Sequence, residues 1–276
     1  MEYKMVVLDL DGTLLNDNKE ISQKNIYILN ELHNKNIEIV IATGRNYYMA
    51  KKLIDKILTL KPVILANNGA IIRCSHDDTV LDYSYLEPSV FEKIYNEGLR
   101  YDLNPVLYVD EYNNGYDLIY EKENYEEAYS GYIKKGSKRA INKKIDSLNI
   151  NNILSVCYID TTENLSKLVD NIYKYKDNYN ILFIKNVMDK TLLEFLHPNG
   201  CKWTAISKYA ASKGILPEEI VSIGDDNNDV ELLKNSGLGI AMINGTEESK
   251  KAAKIITKYD NNNSGVYYSL SSIFNI

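Results

Sequence analysis

The chain predicts an α/β protein, a parallel-sheet core with helices on both faces, interrupted by an inserted α+β unit. Short apolar runs alternate with segments of helical period in residues 1–83 and again in 191–276. That alternation demands crossover connections and therefore a parallel sheet. Between 84 and 190 it yields to hairpin-like strands and polar helices, which marks a second domain placed inside the first. Several apolar runs of the outer segments end in acidic, hydroxyl or basic residues, at the strand ends where open α/β sheets bind ligands.

The first run is Met5-Val6-Val7-Leu8, followed by Asp9-Leu10-Asp11-Gly12-Thr13. Side chains alternate along a strand, so Asp9 and Asp11 are expected on one side, and two carboxylates at the end of a buried strand call for a positive partner. The aspartates suit a cation, while Thr13 and the amides near it suit a small anion. An Asp-Gly turn is the competing reading.

Ser22 is a suitable N-cap for a helix whose apolar face includes Ile26, Leu29 and Leu32. Ile37 to Ala42 reads as a buried strand ending in Thr43-Gly44-Arg45, Tyr47 to Leu58 as a helix, and Pro62 to Ala66 as a strand ending in Asn67-Asn68-Gly69. Ala70–Cys74 and Thr79–Tyr83 read as a hairpin. In the insert, Pro88–Arg100 is helical, and Val106–Asp110 and Tyr116–Glu121 pair through Asn113-Asn114-Gly115. A Lys- and Tyr-rich helical stretch follows, then strands at Ile153–Ile159, Ile181–Lys185 and Thr191–Leu196 around a helix through Leu165, Leu168 and Ile172.

The first pattern returns at Gly200-Cys201-Lys202-Trp203, where Lys202 opens a helix stopped by Gly214. Ile220–Ile223 is a buried strand ending in Gly224-Asp225-Asp226-Asn227-Asn228-Asp229, which leads into a helix with Val230, Leu232 and Leu233. Leu238–Met242, a helix after Thr246, Ile255-Ile256 and a last helix from Gly265 complete the core.

A formal charge of -6 with no basic stripe argues against a general nucleic-acid binder. Cys74, Cys157 and Cys201 lack metal-ligand spacing and are odd in number, which fits neither a zinc cluster nor a disulfide framework and suits a reduced, cytoplasmic setting. No apolar run reaches bilayer-spanning length, and the residues before Asp9 leave no room for a signal peptide, so neither export nor a membrane partner is expected. The strand ends would gather Asp9, Asp11, Thr43, Asp225 and Asp229, with Lys202 at a helix start. Carboxylates converging in one crevice require a cation, and oxygen donors without a His or Cys cluster favour Mg²⁺ over zinc.

Asp9-Leu10-Asp11-Gly12-Thr13, Thr43-Gly44-Arg45, Lys202 and the run Gly224 to Asp229 closely resemble the four motifs of the haloacid dehalogenase superfamily. The Asn68-Gly69-Ala70 step, the insert between the second and third motifs and the ending Gly265-Val266 resemble its Cof-type phosphatases. The resemblance spans essentially the whole chain. It implies a Rossmann-like core in 1–83 and 191–276 and a C2-type α+β cap, in 84–190, that sets specificity.

The resemblance further implies that Asp9 is the nucleophile, forming an aspartyl phosphate. Asp11 is implied as the acid and base, needing a raised effective pKa, and as a metal ligand through its backbone carbonyl. Thr43 is implied to hold a phosphoryl oxygen with the adjacent Gly44 amide, and Lys202 to neutralise charge. Asp9, Asp11 and Asp225 are implied to bind Mg²⁺, and Asp229 to be a metal-shell or lysine-orienting residue. Arg45, Asn68 and Asn228 are implied to meet substrate, with Arg45 and Asn68 at the entrance. Trp203 departs from the usual small residue and is expected in the core; His197, Asp226 and Asn227 receive no role.

The expected function is a Mg²⁺-dependent phosphatase of small monoesters, sugar phosphates or phosphorylated cofactors. The alternatives are a phosphosugar mutase using the same intermediate and a phospho-ligand sensor without turnover. A phospho-receiver module shares the acidic pair, Thr and Lys but is shorter and lacks an insert.

Overall fold

Strand β1 (Met5–Leu8) is buried at every position and lies between two parallel neighbours, so a continuous apolar run is what its place requires. The computed structural model describes residues 2–55, 60–121, 139–145, 150–187 and 189–276. Helix α1 (Gln23–Asn34) starts where Ser22 accepts a hydrogen bond from the Asn25 amide at 3.2 Å. Its buried face is Asn25, Ile28, Leu29 and Leu32, with Ile26 only half-buried. Strand β2 (Glu38–Ala42) pairs with β1, and helix α2 (Tyr47–Ile54) is capped by Asn46. The end of that helix expected at Leu58 lies outside the described residues.

Strand β3 (Val63–Ala66) runs parallel to β2 and ends in a single 3-10 turn, Asn67–Gly69. Asn67, Asn68 and Gly69 all have positive φ, at 48°, 56° and 105°, a left-handed run that Asn and Gly tolerate best. Strands β4 (Ile71–Cys74) and β5 (Val80–Tyr83) form the expected antiparallel hairpin on β3.

The chain divides into two compact units, 2–83 with 201–276 and 84–200. The second contains α3 (Pro88–Leu99), β6 (Val106–Val109), β7 (Leu118–Tyr120), β8 (Ala140–Asn142), β9 (Ile153–Asp160), α4 (Thr162–Ile172), β10 (Asn180–Val187) and β11 (Lys190–Leu196). Its six-stranded sheet runs β10-β11-β9-β6-β7-β8, antiparallel except for the β7–β8 pair. Gly115, at φ 88°, closes the turn between β6 and β7. Phe91 and Ile94 from α3 and Leu165 and Leu168 from α4 pack with Val156, Tyr158, Leu193 and Phe195 of the sheet. The Lys- and Tyr-rich helical stretch expected after Glu121 lies outside the described residues.

The expected end of the insert at residue 190 needs correction. Strand β11 pairs with both β10 and β9 and buries Leu193 and Phe195 in the second unit's own core. Detaching it would expose that core, so the division falls at Gly200.

Helix α5 (Lys202–Ser212) returns to the first unit and ends before Gly214, at φ 69°. Strand β12 (Ile220–Gly224), α6 (Val230–Asn235), β13 (Leu238–Ala241), α7 (Glu247–Ala252), β14 (Ile255–Ile256) and α8 (Gly265–Phe274) follow. The eight-stranded sheet runs β14-β13-β12-β1-β2-β3-β4-β5, with β4 and β5 antiparallel on one edge. Met5, Val7, Val40 and Leu65 pack against Ile206 and Tyr209 of α5, and Trp203 is partly buried against this cluster. The strand order reverses at β1, so the tips of β1, β2, β3 and β12 lie side by side at the crevice-forming end of the sheet.

Candidate functional site at the strand tips

Asp9 continues β1 by one residue, its amide donating to Ile223 O at 3.0 Å. Beyond it the strand stops. The Leu14 amide turns back to Asp9 O and the Leu15 amide to Leu10 O, at 3.3 and 2.8 Å. Gly12, at φ 79°, makes this turn possible, and a Cβ there would lie 2.3 Å from Asp225 Oδ2. The backbone leaves the strand before Asp11, and the Asp11 carboxylate is not among those gathered around Asp9. The Asp11 carboxylate instead accepts from Arg45 Nε and a terminal Arg45 nitrogen, both at 2.6 Å, and from Lys19 Nζ at 2.7 Å.

Asp9 is buried and meets Lys202, the first residue of α5, which is only 1% exposed. Lys202 Nζ donates to Asp9 Oδ1 at 2.6 Å and to Asp229 Oδ1 at 2.7 Å. The other Asp229 oxygen accepts from the Asp225 and Asp226 amides at 3.0 and 3.2 Å, so both Asp229 oxygens are engaged. That is the geometry of a residue that orients the lysine. Asp9, Asp225 and Asp229 each present a carboxylate oxygen within 4.8 Å of the others. Asp11 is not in this trio, which leaves its carbonyl rather than its carboxylate for the metal role expected of it. Thr13 spends its hydroxyl on Asp225 Oδ1 at 2.6 Å, a bond to an acid rather than to the small anion its position suggested.

The electrostatics follow from burial and pairing. Burial, opposed by Lys202 and reinforced by Asp229 and Asp225, lifts Asp9 well above the usual carboxylate range. Burial also lifts Asp225 to about 7, with Asp229 adding and the Thr13 bond opposing. Burial alone would depress the Lys202 ammonium, but Asp229 and Asp9 outweigh it and push it above the usual lysine range. For Asp11, burial is overcome by the bonds from Arg45 and Lys19, which hold its carboxyl at about 2. The raised value expected for an acid is thus reversed in this ion-paired arrangement, because two cations favour the charged form.

At the tip of β2, buried Thr43 accepts the Arg45 amide on its hydroxyl oxygen at 3.1 Å and accepts the Asn68 amide on its carbonyl at 3.1 Å. Asn68 lies over Gly44, where a Cβ would stand 3.1 Å from Asn68 Oδ1. That oxygen accepts from Asn228 Nδ2 at 2.9 Å, so the β3 and β12 tips are tied together. Arg45 is partly exposed at the tips, whereas Asn68 is buried and faces inward. His197 Nδ1 accepts the Asn199 amide at 3.0 Å, a turn-forming bond in the second unit.

Sequence reasoning missed Lys19 on Asp11, Asn244, whose Nδ2 donates to Gly12 O at 2.8 Å, and Ser249, whose Oγ donates to Asp225 O at 2.9 Å. Lys19 and Asn244 sit in polar loops with no spacing signal, and Ser249 follows a good N-cap, Thr246, that already accounts for a serine-threonine pair there.

Residues 6–270 match the haloacid dehalogenase-like hydrolase family. The chain is similar to the 5-amino-6-(5-phospho-D-ribitylamino)uracil phosphatase YwtE of Bacillus subtilis, 27% identical over 289 residues and covering 96% of each chain. Among solved structures it is similar to TM0651 from Thermotoga maritima, 29% identical, with a TM-score of 0.82 over 98% of this chain and 97% of that one. A haloacid dehalogenase-like hydrolase from Bacteroides thetaiotaomicron is 26% identical with the same TM-score of 0.82, over 99% of this chain and 100% of the other. Among the described residues no helix is long and apolar enough to cross a membrane. Four motifs at four adjacent element tips and a family match across nearly the whole chain lead to one assignment: the chain belongs to the haloacid dehalogenase-like hydrolases and is a phosphatase of the Cof type.

Proposed function

We propose that the protein hydrolyses small phosphate monoesters, with Mg²⁺ bound, through an aspartyl phosphate on Asp9. The observation that carries this reading is the buried Lys202 ammonium bridging Asp9 and Asp229 beside Asp225. The donors available there are hard carboxylate oxygens with no nitrogen or sulfur among them, which fits Mg²⁺. Asp9, Asp225 and the Asp11 carbonyl are the residues that would hold the ion, which supplies the positive charge a phosphate dianion needs beside an ionised nucleophile.

Lys202 holds Asp9 Oδ1, so Oδ2 is the oxygen assigned to attack. It bonds to phosphorus as the ester P–O bond breaks, and Asp11 gives a proton to the departing alkoxide. In the second step water attacks the same phosphorus, Asp11 takes its proton, and Asp9 is released with inorganic phosphate. Asp11 must leave Arg45 and Lys19 to act, since an acid held at about 2 gives up its proton long before neutral pH. Thr43 and the Gly44 amide are assigned to the phosphoryl oxygens, with Asn228 beside them. Asp229 keeps Lys202 aimed at Asp9.

These groups all serve the phosphoryl end. Among the described residues assigned to the site, Arg45 and Asn68 remain to read the rest of the substrate, and substrate choice is assigned to the second unit, residues 84–200. The name of YwtE describes a phosphate on a ribitylamino chain, which supports sugar phosphates or phosphorylated cofactors as the class. Three free cysteines suit a reducing, cytoplasmic setting.

The test is phosphate release from a panel of sugar phosphates and phosphorylated cofactors, with Mg²⁺ or with chelator. Mg²⁺-dependent release from at least one ester is expected, and silence across the panel would overturn the reading in favour of a sensor. Transfer to an added sugar in place of release would make the protein a mutase.

Metal and pH are linked in a second prediction. Asp9 and Asp225 have folded-state values above their unfolded ones, so the metal-free protein binds more protons folded than unfolded above about pH 4. Its stability therefore falls as pH rises from about 4 towards 7, and Mg²⁺, which replaces those protons, is expected to raise Tm more at pH 7.5 than at pH 5. Thermal melts at both values, with and without Mg²⁺, measure this. An equal Mg²⁺ shift at the two pH values would contradict it.

A further inference from the structure

We infer that Ser249 is a positioning residue for Asp225, fixing that residue's backbone so that its carboxylate is delivered to a divalent cation. The inference rests on Asp225 being a metal ligand. Asp225 is held at its amide, at its carbonyl and at one carboxylate oxygen. Its amide donates to Asp229 Oδ2 at 3.0 Å, its carboxylate accepts from Thr13 at 2.6 Å, and its carbonyl accepts both the Thr246 amide at 2.8 Å and Ser249 Oγ at 2.9 Å.

Ser249 is fully buried on the inner side of α7. Its amide donates to Thr246 Oγ1 at 3.2 Å, and Thr246 Oγ1 in turn donates to Asn227 Oδ1 at 3.1 Å. The first turn of α7 is thus bonded to the 225–229 loop through two side chains and one amide. Gly245 allows the approach: a Cβ there would lie 2.7 Å from Asp225 O and 3.0 Å from its Cα. A buried hydroxyl normally satisfies itself on its own helix, and Ser249 Oγ does lie 2.9 Å from Thr246 O. Its single proton is shared between Thr246 O and Asp225 O, both at 2.9 Å, and the contact with Asp225 O is one that its own helix does not require.

A carbonyl with two donors pins the plane of the peptide that follows it, and with it the direction of the Asp225 Cα–Cβ bond. Ser249→Ala removes one donor and leaves the Thr246 amide in place, so the loop keeps its path but loses part of its restraint. Groups that orient a metal ligand typically change metal affinity by one to two orders of magnitude when removed.

Mn²⁺ binding to the full chain, followed by the electron paramagnetic resonance signal of the free ion and by displacement with Mg²⁺, reads the affinity without turnover. Ser249→Ala is expected to weaken Mn²⁺ about tenfold, and kcat at saturating Mg²⁺ to stay close to that of the parent. Ser236→Ala is the comparator, because Ser236 is also buried and its Oγ donates back to its own helix, to Leu232 O at 2.7 Å. It is expected to lower Tm with Mn²⁺ affinity unchanged. Ser249→Cys keeps the shape with a weaker donor, and is expected to fall between Ser and Ala, which keeps the test open if the alanine variant folds poorly. Unchanged Mn²⁺ affinity in both Ser249 variants would overturn the inference. Failure of the parent protein itself to bind Mn²⁺ would instead overturn the metal reading of Asp225.

Discussion

Asp9→Asn is expected to abolish turnover, by at least about 10⁴-fold in kcat, while leaving the protein folded. The amide retains the shape of the carboxylate and an oxygen that can accept from Lys202, so the buried ammonium keeps both of its partners. What disappears is a nucleophile, and with it one of three acidic oxygens crowded within 4.8 Å. Burial and the charges of Asp229 and Asp225 both disfavour an ionised Asp9. Removing that charge therefore relieves like-charge crowding, and the metal-free variant is expected to melt no lower than the parent at pH 7.5. A catalytic site commonly carries such a stability cost. Losing a ligand also shrinks the rise in Tm that Mg²⁺ produces, because stabilisation scales with affinity. Phosphate release under single turnover, with melts of both proteins, measures all three effects. Residual activity above a few per cent of the parent would remove Asp9 from the role of nucleophile.

The strand tips were legible because each pairs an apolar run with a short polar sequence, and such a run has one stable place in an α/β sheet. Strands β1, β2, β3 and β12 stand where they were expected, and Lys202 opens its helix. Alternation reaches only as far as the strand does, and the pairing of Asp11 with Lys19 and Arg45 joins it to residues 8 and 34 positions away. Nothing in Asp9-Leu10-Asp11 itself says that the strand stops there, since the stop is made by the Leu14 and Leu15 amides turning back to Asp9 O and Leu10 O and by Gly12 packing on Asp225. The local sequence around Thr13 suggests an anion donor. Its partner lies 212 residues away, and no local pattern reports it.

The second unit's boundary shows a different failure. Thr191–Leu196 was legible as a strand, but strand membership depends on which edges it pairs, and β11 lies between β10 and β9. Burial of Leu193 and Phe195 is equally consistent with either sheet when read from sequence. Ser249 and Asn244 were invisible because their bonds go to backbone carbonyls, which any residue supplies. The chemistry-bearing side chains were therefore readable and their supports were not.

Lys202→Met tests how far the site's charges hold each other in place. Methionine fills much the same volume but leaves Asp9 and Asp229 buried without their cation. Removing one partner of a buried pair costs about 3–5 kcal/mol, so Tm of the first unit is expected to fall by on the order of 10 °C at pH 7.5. The pH dependence distinguishes this cause from poor packing. In the variant Asp9 loses the charge that opposes its raised value, so its acid form becomes still more favourable. Stability lost at pH 7.5 should then be partly regained towards pH 5, where Asp9 binds a proton more readily. The alkaline limb moves the other way. Lys202 has a folded-state value above its unfolded one, so its contribution is complete below about pH 10.4 and disappears as pH rises through the folded value. Parent and variant melts should therefore draw together towards pH 5 and keep their full difference from neutrality to about pH 10.4. A gap of constant size from pH 5 to 10 would assign the loss to packing alone. Activity should fall by about 10²–10³-fold even where the variant is fully folded, since no other buried cation among the described residues meets Asp9 and the developing charge on the phosphoryl oxygens.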